Sequence, residues 1–453
     1  MIRKILITTS FLLAAFVVPA QAFEIEPVKG DGGIEAWLVS EDAVPVVALE
    51  VLFHAGSHLD PDGKSGLANM TASLMTEGAG DLDSQAFAAR LRDLNVSVSV
   101  SAGRDTVKIQ MRTLSQNIDE AFDLVRLALT QPRFDDGDVA RVRAQSLASL
   151  AQDLESPDTV AYRAFFKDVF GDHPYALPPA GTPESLASIT ADDMRAYAAM
   201  AFARDNISVA VVGDITAAEL APLIDSTFGS LPETTDRKDP GDIAPLAPGV
   251  TIIKRNNPQS VVVFGMDGMK RDDEDFIPAF VMNYMLGGGS FVSRMFKEVR
   301  EERGLVYSVY TSLYPLSHGG LTLGYFATSN ATAGEALDVA TAQIVDVAEN
   351  GITAEELDAA KTYLTGSYAL RFDSSRAIAG QLAAIQFEGL GLEYVDTRNS
   401  LVNAVSLEDI SRAAKRLLKA DAMRVVAVGA PEGITASADA GQEAVSAEEA
   451  AAN

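Results

Sequence analysis

Few side chains in this sequence are suited to imidazole or thiol chemistry. There are four histidines, His54, His58, His173 and His318, and no cysteine. Thiolate zinc sites, cysteine nucleophiles and disulfides are therefore excluded. His54 and His58 are four residues apart, the separation that brings two imidazoles to one helical face. Here, however, they flank Gly56 at the end of a strand-like segment, so they read as solvent-side loop histidines rather than metal ligands. His173 precedes Pro174 in a loop, with no histidine or carboxylate at motif spacing, and reads as structural. The run Gly287-Gly288-Gly289 is open to two readings: a plain turn before a helix N-terminus at Ser290, or a mobile segment that contacts a substrate. It is not a phosphate loop, because no Gly-x-x-x-x-Gly-Lys-Ser/Thr pattern follows.

Charge narrows the partners. With 63 acids against 36 bases the net charge is −27, and no basic patch interrupts it, so phosphate backbones and anionic lipid surfaces are repelled. Nucleic-acid binding is not expected. The first 22 residues form a secretory signal: Arg3 and Lys4, an apolar run from Ile5 to Val18, and Ala20-Gln21-Ala22 as the cleavage site. That run is shorter than the ~20 residues a membrane span needs. The expectation is an exported, periplasmic protein with no stable membrane insertion after cleavage.

At 453 residues and 47% hydrophobic, the chain can bury more than one core. The order of signals repeats. In the first half, strand-like segments at 36–39 and 46–53 lead to helical stretches at 66–76 and 84–94, then a hairpin with Val96, Val98 and Val100 opposite Val107, Ile109 and Met111. Long helical stretches at 116–130 and 135–153 follow, and the half closes with a helix at 191–203 and a strand at 207–212 before Gly213. The second half gives a strand at 260–266, helices at 276–286 and 291–303, a hairpin over 305–313 and 320–328, helices at 334–350, 353–371 and 407–418, and a strand at 424–428 before Gly429. This order predicts an α+β fold made twice: two homologous domains, each a mixed, largely antiparallel sheet with helices packed on one face. The boundaries read as 23–231, a Pro-rich linker at 232–248, 249–431, and a disordered acidic tail at 432–453.

Several short patterns, taken in order, resemble the M16 peptidase family, the insulinase or pitrilysin-like zinc proteases, and its short bacterial branch related to mitochondrial processing peptidase. They are the segment from Pro45 through His54 to Ser57, Gly66-Leu67-Ala68 at a helix start, and His173-Pro174-Tyr175 followed by Gly181-Thr182-Pro183-Glu184. Val212-Gly213-Asp214, Val428-Gly429 and Gly288-Gly289-Ser290 complete the set. The resemblance implies an inverted zinc motif, His-x-x-Glu-His, on the first helix, with a distant glutamate as third ligand. Here the motif positions hold Asn69, Ala72 and Ser73, and no glutamate occurs between Glu120 and Glu155, where the third ligand around Ala148 and Ser149 is expected. An amide and a hydroxyl are poor zinc ligands, and a methyl group cannot move a proton. No metal is expected in this chain.

In two-subunit members of the family one chain carries zinc and the other an Arg/Tyr pair seven residues apart. The segment Arg300-Glu-Glu-Arg303-Gly304-Leu-Val-Tyr307 has that pattern. A helix over 291–303 would carry Arg300 in its last turn, Gly304 would cap it, and Tyr307 would lie on the following strand. A guanidinium fork can hold peptide carbonyls and a phenol can donate to an oxyanion. The bland alternatives are an Arg300 paired with a nearby glutamate and a Tyr307 that is an ordinary cross-strand aromatic. The resemblance implies a zinc-free subunit that supplies Arg300 and Tyr307, with Gly287, Gly288 and Gly289 near the substrate, to a homologous His-x-x-Glu-His partner acting on peptides. The zinc would reside in that partner. The alternative function is a non-catalytic scaffold or peptide-binding protein of the same fold.

Overall fold

The structure is a computed structural model and describes residues 23–437. The expected signal segment and residues 438–453 of the expected tail lie outside the described residues. Eleven strands form two sheets: β1 (Glu26–Lys29), β2 (Glu35–Ser40), β3 (Val46–His54), β4 (Ser97–Ala102), β5 (Thr106–Leu114), β6 (Ile207–Gly213), β7 (Gly249–Lys254), β8 (Gln259–Asp267), β9 (Ser308–Leu316), β10 (Gly319–Ser329) and β11 (Arg424–Gly429).

The first sheet has the order β1-β2-β6-β3-β5-β4 and the second β7-β11-β8-β10-β9. With β1 set aside, the two orders are the same walk through equivalent strands. Each sheet contains one parallel pair, β2 with β6 and β7 with β11, and is otherwise antiparallel. The central strands β3 and β8 are apolar along nearly their whole length because both of their faces are covered. Strand β4, Ser-Val-Ser-Val-Ser-Ala, alternates because it is an exposed edge.

Taken alone, each half has helices on one face of its sheet, as expected. The opposite face is covered by a helix from the other half. Helix Pro157–Phe170 crosses to lay Val160, Phe165 and Phe170 on Val261, Val263, Val426 and Val428 of the second sheet. Helix Ser375–Phe387 makes the return crossing and lays Ala379, Leu382, Ala383 and Ile385 on Trp37, Leu52, Ala210 and Val212 of the first. Polar pins fix both crossings. Asp168 accepts from Thr251 Oγ1 at 2.8 Å and pairs with Arg424. Gln386 Oε1 accepts from the Val209 amide at 2.6 Å. Neither crossing helix is among those read from the sequence.

Several helix starts follow directly from local sequence. Thr190 with Asp193, Thr216 with Glu219, Thr353 with Glu356 and Ser406 with Asp409 are reciprocal capping boxes that satisfy otherwise orphaned amides. The stretch between the sheets is held in place: the Pro232 and Glu233 carbonyls accept from the Arg204 and Asp205 amides, and the Ile243 amide donates to the His318 carbonyl. At the far end, Glu432 exchanges backbone bonds with Asn330 and Gly334, and Ser437 bonds twice to Val250. Residues 432–437, the start of the expected tail, thus run along the second half.

Two helices differ from the sequence expectation. The helix expected over 353–371 ends at Gly366 and continues only as a 3-10 turn, Tyr368–Phe372. The helix expected over 291–303 is broken. A 3-10 turn spans Ser290–Val292, Ser293 is extended at φ −77°, ψ 152°, and a wide π-type turn runs over Phe296–Glu301. The cause is local. Ser290 adopts φ +50°, and the Ser293 hydroxyl donates back to the Ser290 carbonyl at 2.8 Å, closing the first turn before a helix can propagate.

Candidate functional site

Helix Leu67–Leu74 carries the three motif positions. Its start is set by two glycines packed backbone to backbone. Gly66, at φ +92°, and Gly181, at φ +80°, approach so closely that a Cβ on Gly66 would lie 3.0 Å from the Gly181 Cα. Asp60 accepts from the Gly66 and Ala68 amides at 2.8 and 2.9 Å, capping the helix. Burial raises the Asp60 carboxyl to about 7 despite those bonds.

On this helix Asn69 is half-buried and donates from Nδ2 to the Pro179 carbonyl at 2.7 Å. Ala72 is buried, and Ser73 is exposed. Helix Asp136–Asp153 packs against it, but Ala148 and Ser149 are both exposed and offer no carboxylate. These residues do not fit a zinc ion: one amide is already engaged, one position is a methyl, and the remaining hydroxyl has no charged neighbour to complete a ligand set. Among the described residues no group of three or more His, Asp or Glu side chains is arranged to hold a metal. Glu77, just past the helix, accepts from Ser84 at 2.9 Å and Arg141 at 2.7 Å, a structural role.

One histidine differs from the sequence expectation, while His54 is exposed as expected. His58 is not a solvent-side residue: its side chain is 10% exposed and its Nδ1 lies 2.7 Å from the Arg104 carbonyl. His54 stacks face to face on Phe387 of the crossing helix, with centroids 3.8 Å apart. Rings of His58, His173, Tyr175 and His318 gather where the β4–β5 turn of the first half meets the β9–β10 turn of the second. Asp105 joins the halves there by accepting from the Tyr175 hydroxyl and from the Ser317 amide. Burial holds His58 and His173 below the usual imidazole value. His173 accepts from the Tyr175 amide through Nδ1 and contacts the Gly241 carbonyl through Nε2, so it braces a loop, as expected.

Arg300 and Tyr307 come together. The Arg300 guanidinium carbon sits 5.4 Å from the Tyr307 ring centre, 4.6 Å from Phe296 and 5.8 Å from Phe291. An aromatic frame of this kind holds a cation by its ring faces and leaves N–H donors free. The neighbouring carboxylate Glu298 is paired with Arg303 at 2.6 Å rather than with Arg300. Gly304, at φ +62°, ends the helical turn and donates to the Arg300 carbonyl at 2.9 Å, as expected. Tyr307 lies one residue before β9 rather than on it, and is 85% exposed. It is therefore not a cross-strand aromatic.

Gly287 and Gly288 belong to a wide turn, and Gly289 ends it. The turn spans Tyr284–Gly288 and packs on β9. A Cβ on Gly287 would stand 2.4 Å from Thr311 Oγ1, and one on Gly289 would stand 2.6 Å from the Tyr284 carbonyl oxygen, so both positions require glycine by close approach. Gly287 is buried and Gly288 exposed.

The supporting residues were not legible in the sequence. Asn283 and Thr311 form a buried pair across the turn, Thr311 Oγ1 donating to Asn283 Oδ1 at 2.8 Å and Asn283 Nδ2 to the Thr311 carbonyl at 3.2 Å. Arg294 binds both oxygens of Glu356 at 2.7 Å and Asp346 at 2.7 Å, fastening the turn that carries Arg300 to two long helices. Arg294 and the Thr353 cap hold the Glu356 carboxyl down at about 2.

Two sheets of matching order with exchanged helices, a first helix at the zinc-motif position and an Arg/Tyr corner in the second half define an M16-type two-domain architecture. The sequence comparisons agree. Residues 37–182 match the family described as insulinase (peptidase family M16), and residues 188–364 match the peptidase M16 inactive domain. The chain belongs to the M16 peptidase family.

Among its relatives, the Helicobacter pylori protein named non-peptidase homolog YmxG is 26% identical over 81% of this chain and 85% of its own. A Bacillus subtilis protein named uncharacterized zinc protease YmxG is 22% identical over 86% of this chain and 94% of its own. The crystal structure of a peptidase M16 inactive domain from Pseudomonas fluorescens superimposes with a TM-score of 0.85 at 28% identity, covering 91% of this chain and 98% of that one. A protease structure from Helicobacter pylori gives 0.81 at 20% identity, a likeness of fold. No described helix is long and apolar enough to cross a membrane.

Proposed function

We propose that this chain is the zinc-free subunit of an exported, periplasmic two-subunit M16-type metalloendopeptidase. It pairs with a homologous chain that carries His-x-x-Glu-His, and it lends Arg300 and Tyr307 to that partner's site. The observation that carries this reading is the contrast between two places in one chain. The motif helix offers no imidazole and no carboxylate, while Arg300 and Tyr307 stand together, framed by aromatic rings and with no carboxylate at ion-pair distance among the described residues.

The chemistry follows from the two groups. The Arg300 guanidinium hydrogen-bonds carbonyls of an extended peptide, and the Tyr307 hydroxyl donates to the oxyanion that develops on the scissile carbonyl. Gly288, exposed and without a side chain, gives the peptide backbone a close approach. The edge strand β4 offers unpaired backbone groups for strand addition. The names of the relatives, one a non-peptidase homolog and another a zinc protease, are consistent with a family in which fold and catalysis separate.

The test is reconstitution. The purified chain alone is expected to cleave no peptide, and mixing it with its zinc-bearing M16 partner is expected to raise that partner's cleavage of peptides by orders of magnitude. A partner fully active without this chain contradicts the proposal and favours the scaffold reading.

A further inference from the structure

A cavity of 480 Å³ opens between helix Asp136–Asp153, helix Pro157–Phe170 and the loop at 178–180. Its wall is largely apolar, with Leu150, Leu154, Val160, Tyr162, Phe166 and Ile253. Three cations also line it, the half-buried Arg104 and Arg163 and the exposed Lys167. Arg104 lies over the Phe166 ring at 4.0 Å and makes one bond of 3.3 Å to the Tyr175 carbonyl. Arg163 makes one long contact of 3.4 Å to the Gly181 carbonyl.

Neither guanidinium has a carboxylate at ion-pair distance among the described residues. Of the acids on the wall, Asp158 accepts from the Tyr325 hydroxyl at 2.5 Å and Asp153 is exposed. Burial pushes the Arg163 guanidinium below its usual value, and no charged neighbour offsets this. In a chain with 63 acids and 36 bases, a half-buried arginine left without an acid is unusual, because an uncompensated charge out of water is costly. Each guanidinium carries five N–H donors and uses one here, so a planar bidentate acceptor fits what remains.

We infer that this cavity binds a small organic carboxylate with an apolar body, the carboxylate on Arg163 and Arg104 and the body against Phe166, Val160 and Ile253. A fatty acid and the C-terminus of a short apolar peptide share that chemistry. The loop that forms one wall also accepts from the Asn69 amide, which ties that wall to the helix carrying the motif positions. This site shares no lining residue with the Arg300 corner.

The probes are decanoate, decanol, and a Leu-Leu-Leu peptide with either a free or an amidated C-terminus, each titrated calorimetrically into the full-length protein. Decanoate or the free-acid peptide is expected to bind and to raise the melting temperature, while decanol and the amide bind at least ~10-fold more weakly. Decanoate alone assigns the site to lipid-derived acids, and the free peptide alone assigns it to peptide ends. Arg163→Gln is expected to weaken the binding acid ~10-fold or more. Without ligand, the same variant should unfold at the wild-type temperature or above, because it removes an uncompensated charge. Equal binding of decanol and decanoate, binding of neither acid, or unchanged affinity in Arg163→Gln overturns the inference.

Discussion

Arg300 and Tyr307 show what side-chain type and spacing convey and what they leave out. Their separation and the glycine between them are visible in the sequence. Phe296, four residues before Arg300, is within reach on any helical turn, whereas Phe291 reaches the guanidinium only across the break at Ser293 and was not legible. The vacancy at Asn69, Ala72 and Ser73 was fully legible, since it depends on residue type alone. What the structure adds is that the Asn69 amide is committed to the Pro179 carbonyl. A prediction follows at this scale: chelator dialysis should leave the melting temperature of the isolated chain unchanged, because the described residues offer no cluster of ligands for a metal. A fall of several degrees, reversed by adding zinc, would contradict that.

Elements decide where those residues stand. The segment from Tyr284 to Glu301 could not be placed from periodicity because its apolar spacing suits a helix, while Ser290 at φ +50° and the close approach of Gly287 to Thr311 interrupt one. Its anchors are long-range, at Asn283–Thr311 and at Arg294–Glu356, and sequence spacing carries no trace of such pairs. Thr311→Val leaves the buried Asn283 Oδ1 without its donor and should cost about 1–3 kcal/mol by chemical denaturation. In a reconstituted pair it should also lower activity, through displacement of β9 and Tyr307.

The cap of helix Leu67–Leu74 gives a pH signature. Burial raises Asp60 to about 7, so between its unfolded value near 4 and pH 7 the folded chain binds a proton that the unfolded chain releases. The contribution of Asp60 to stability therefore falls as pH rises through this window, by up to about 4 kcal/mol. Comparing denaturation midpoints at pH 5 and pH 7.5 for wild type and Asp60→Asn checks it. The variant should show a flatter profile, and parallel profiles would refute the assignment.

At the scale of the whole molecule, the repeat was legible as an order of strands and helices, and the sheet orders match it apart from the edge strands β1 and β7, which were not read. The exchange of helices was not legible. A helix apolar enough to cover a sheet carries no mark of which sheet it covers, and neither Pro157–Phe170 nor Ser375–Phe387 was read as a helix. Their consequence is mutual dependence of the halves. Residues 23–231 expressed alone would expose Trp37, Leu52, Ala210 and Val212, where full burial of a large apolar side chain is worth about 1.5–3 kcal/mol. That fragment should bind a hydrophobic dye and lack a cooperative melt, whereas mixing with the complementary half should restore one. A cooperative, dye-free fragment would show that the crossing helix is dispensable.

Such rigid coupling of the halves suits a subunit whose role is to present a fixed corner to another chain. The most direct measurement of that role is the turnover of the reconstituted pair with Tyr307→Phe in this chain, alongside Arg300→Ala. A phenol that donates to the oxyanion acts in the transition state, so Tyr307→Phe should reduce kcat by ~100-fold or more with little change in KM, and Arg300→Ala should act mainly on KM. Pairs carrying either variant that turn over peptide at the wild-type kcat and KM would contradict the account.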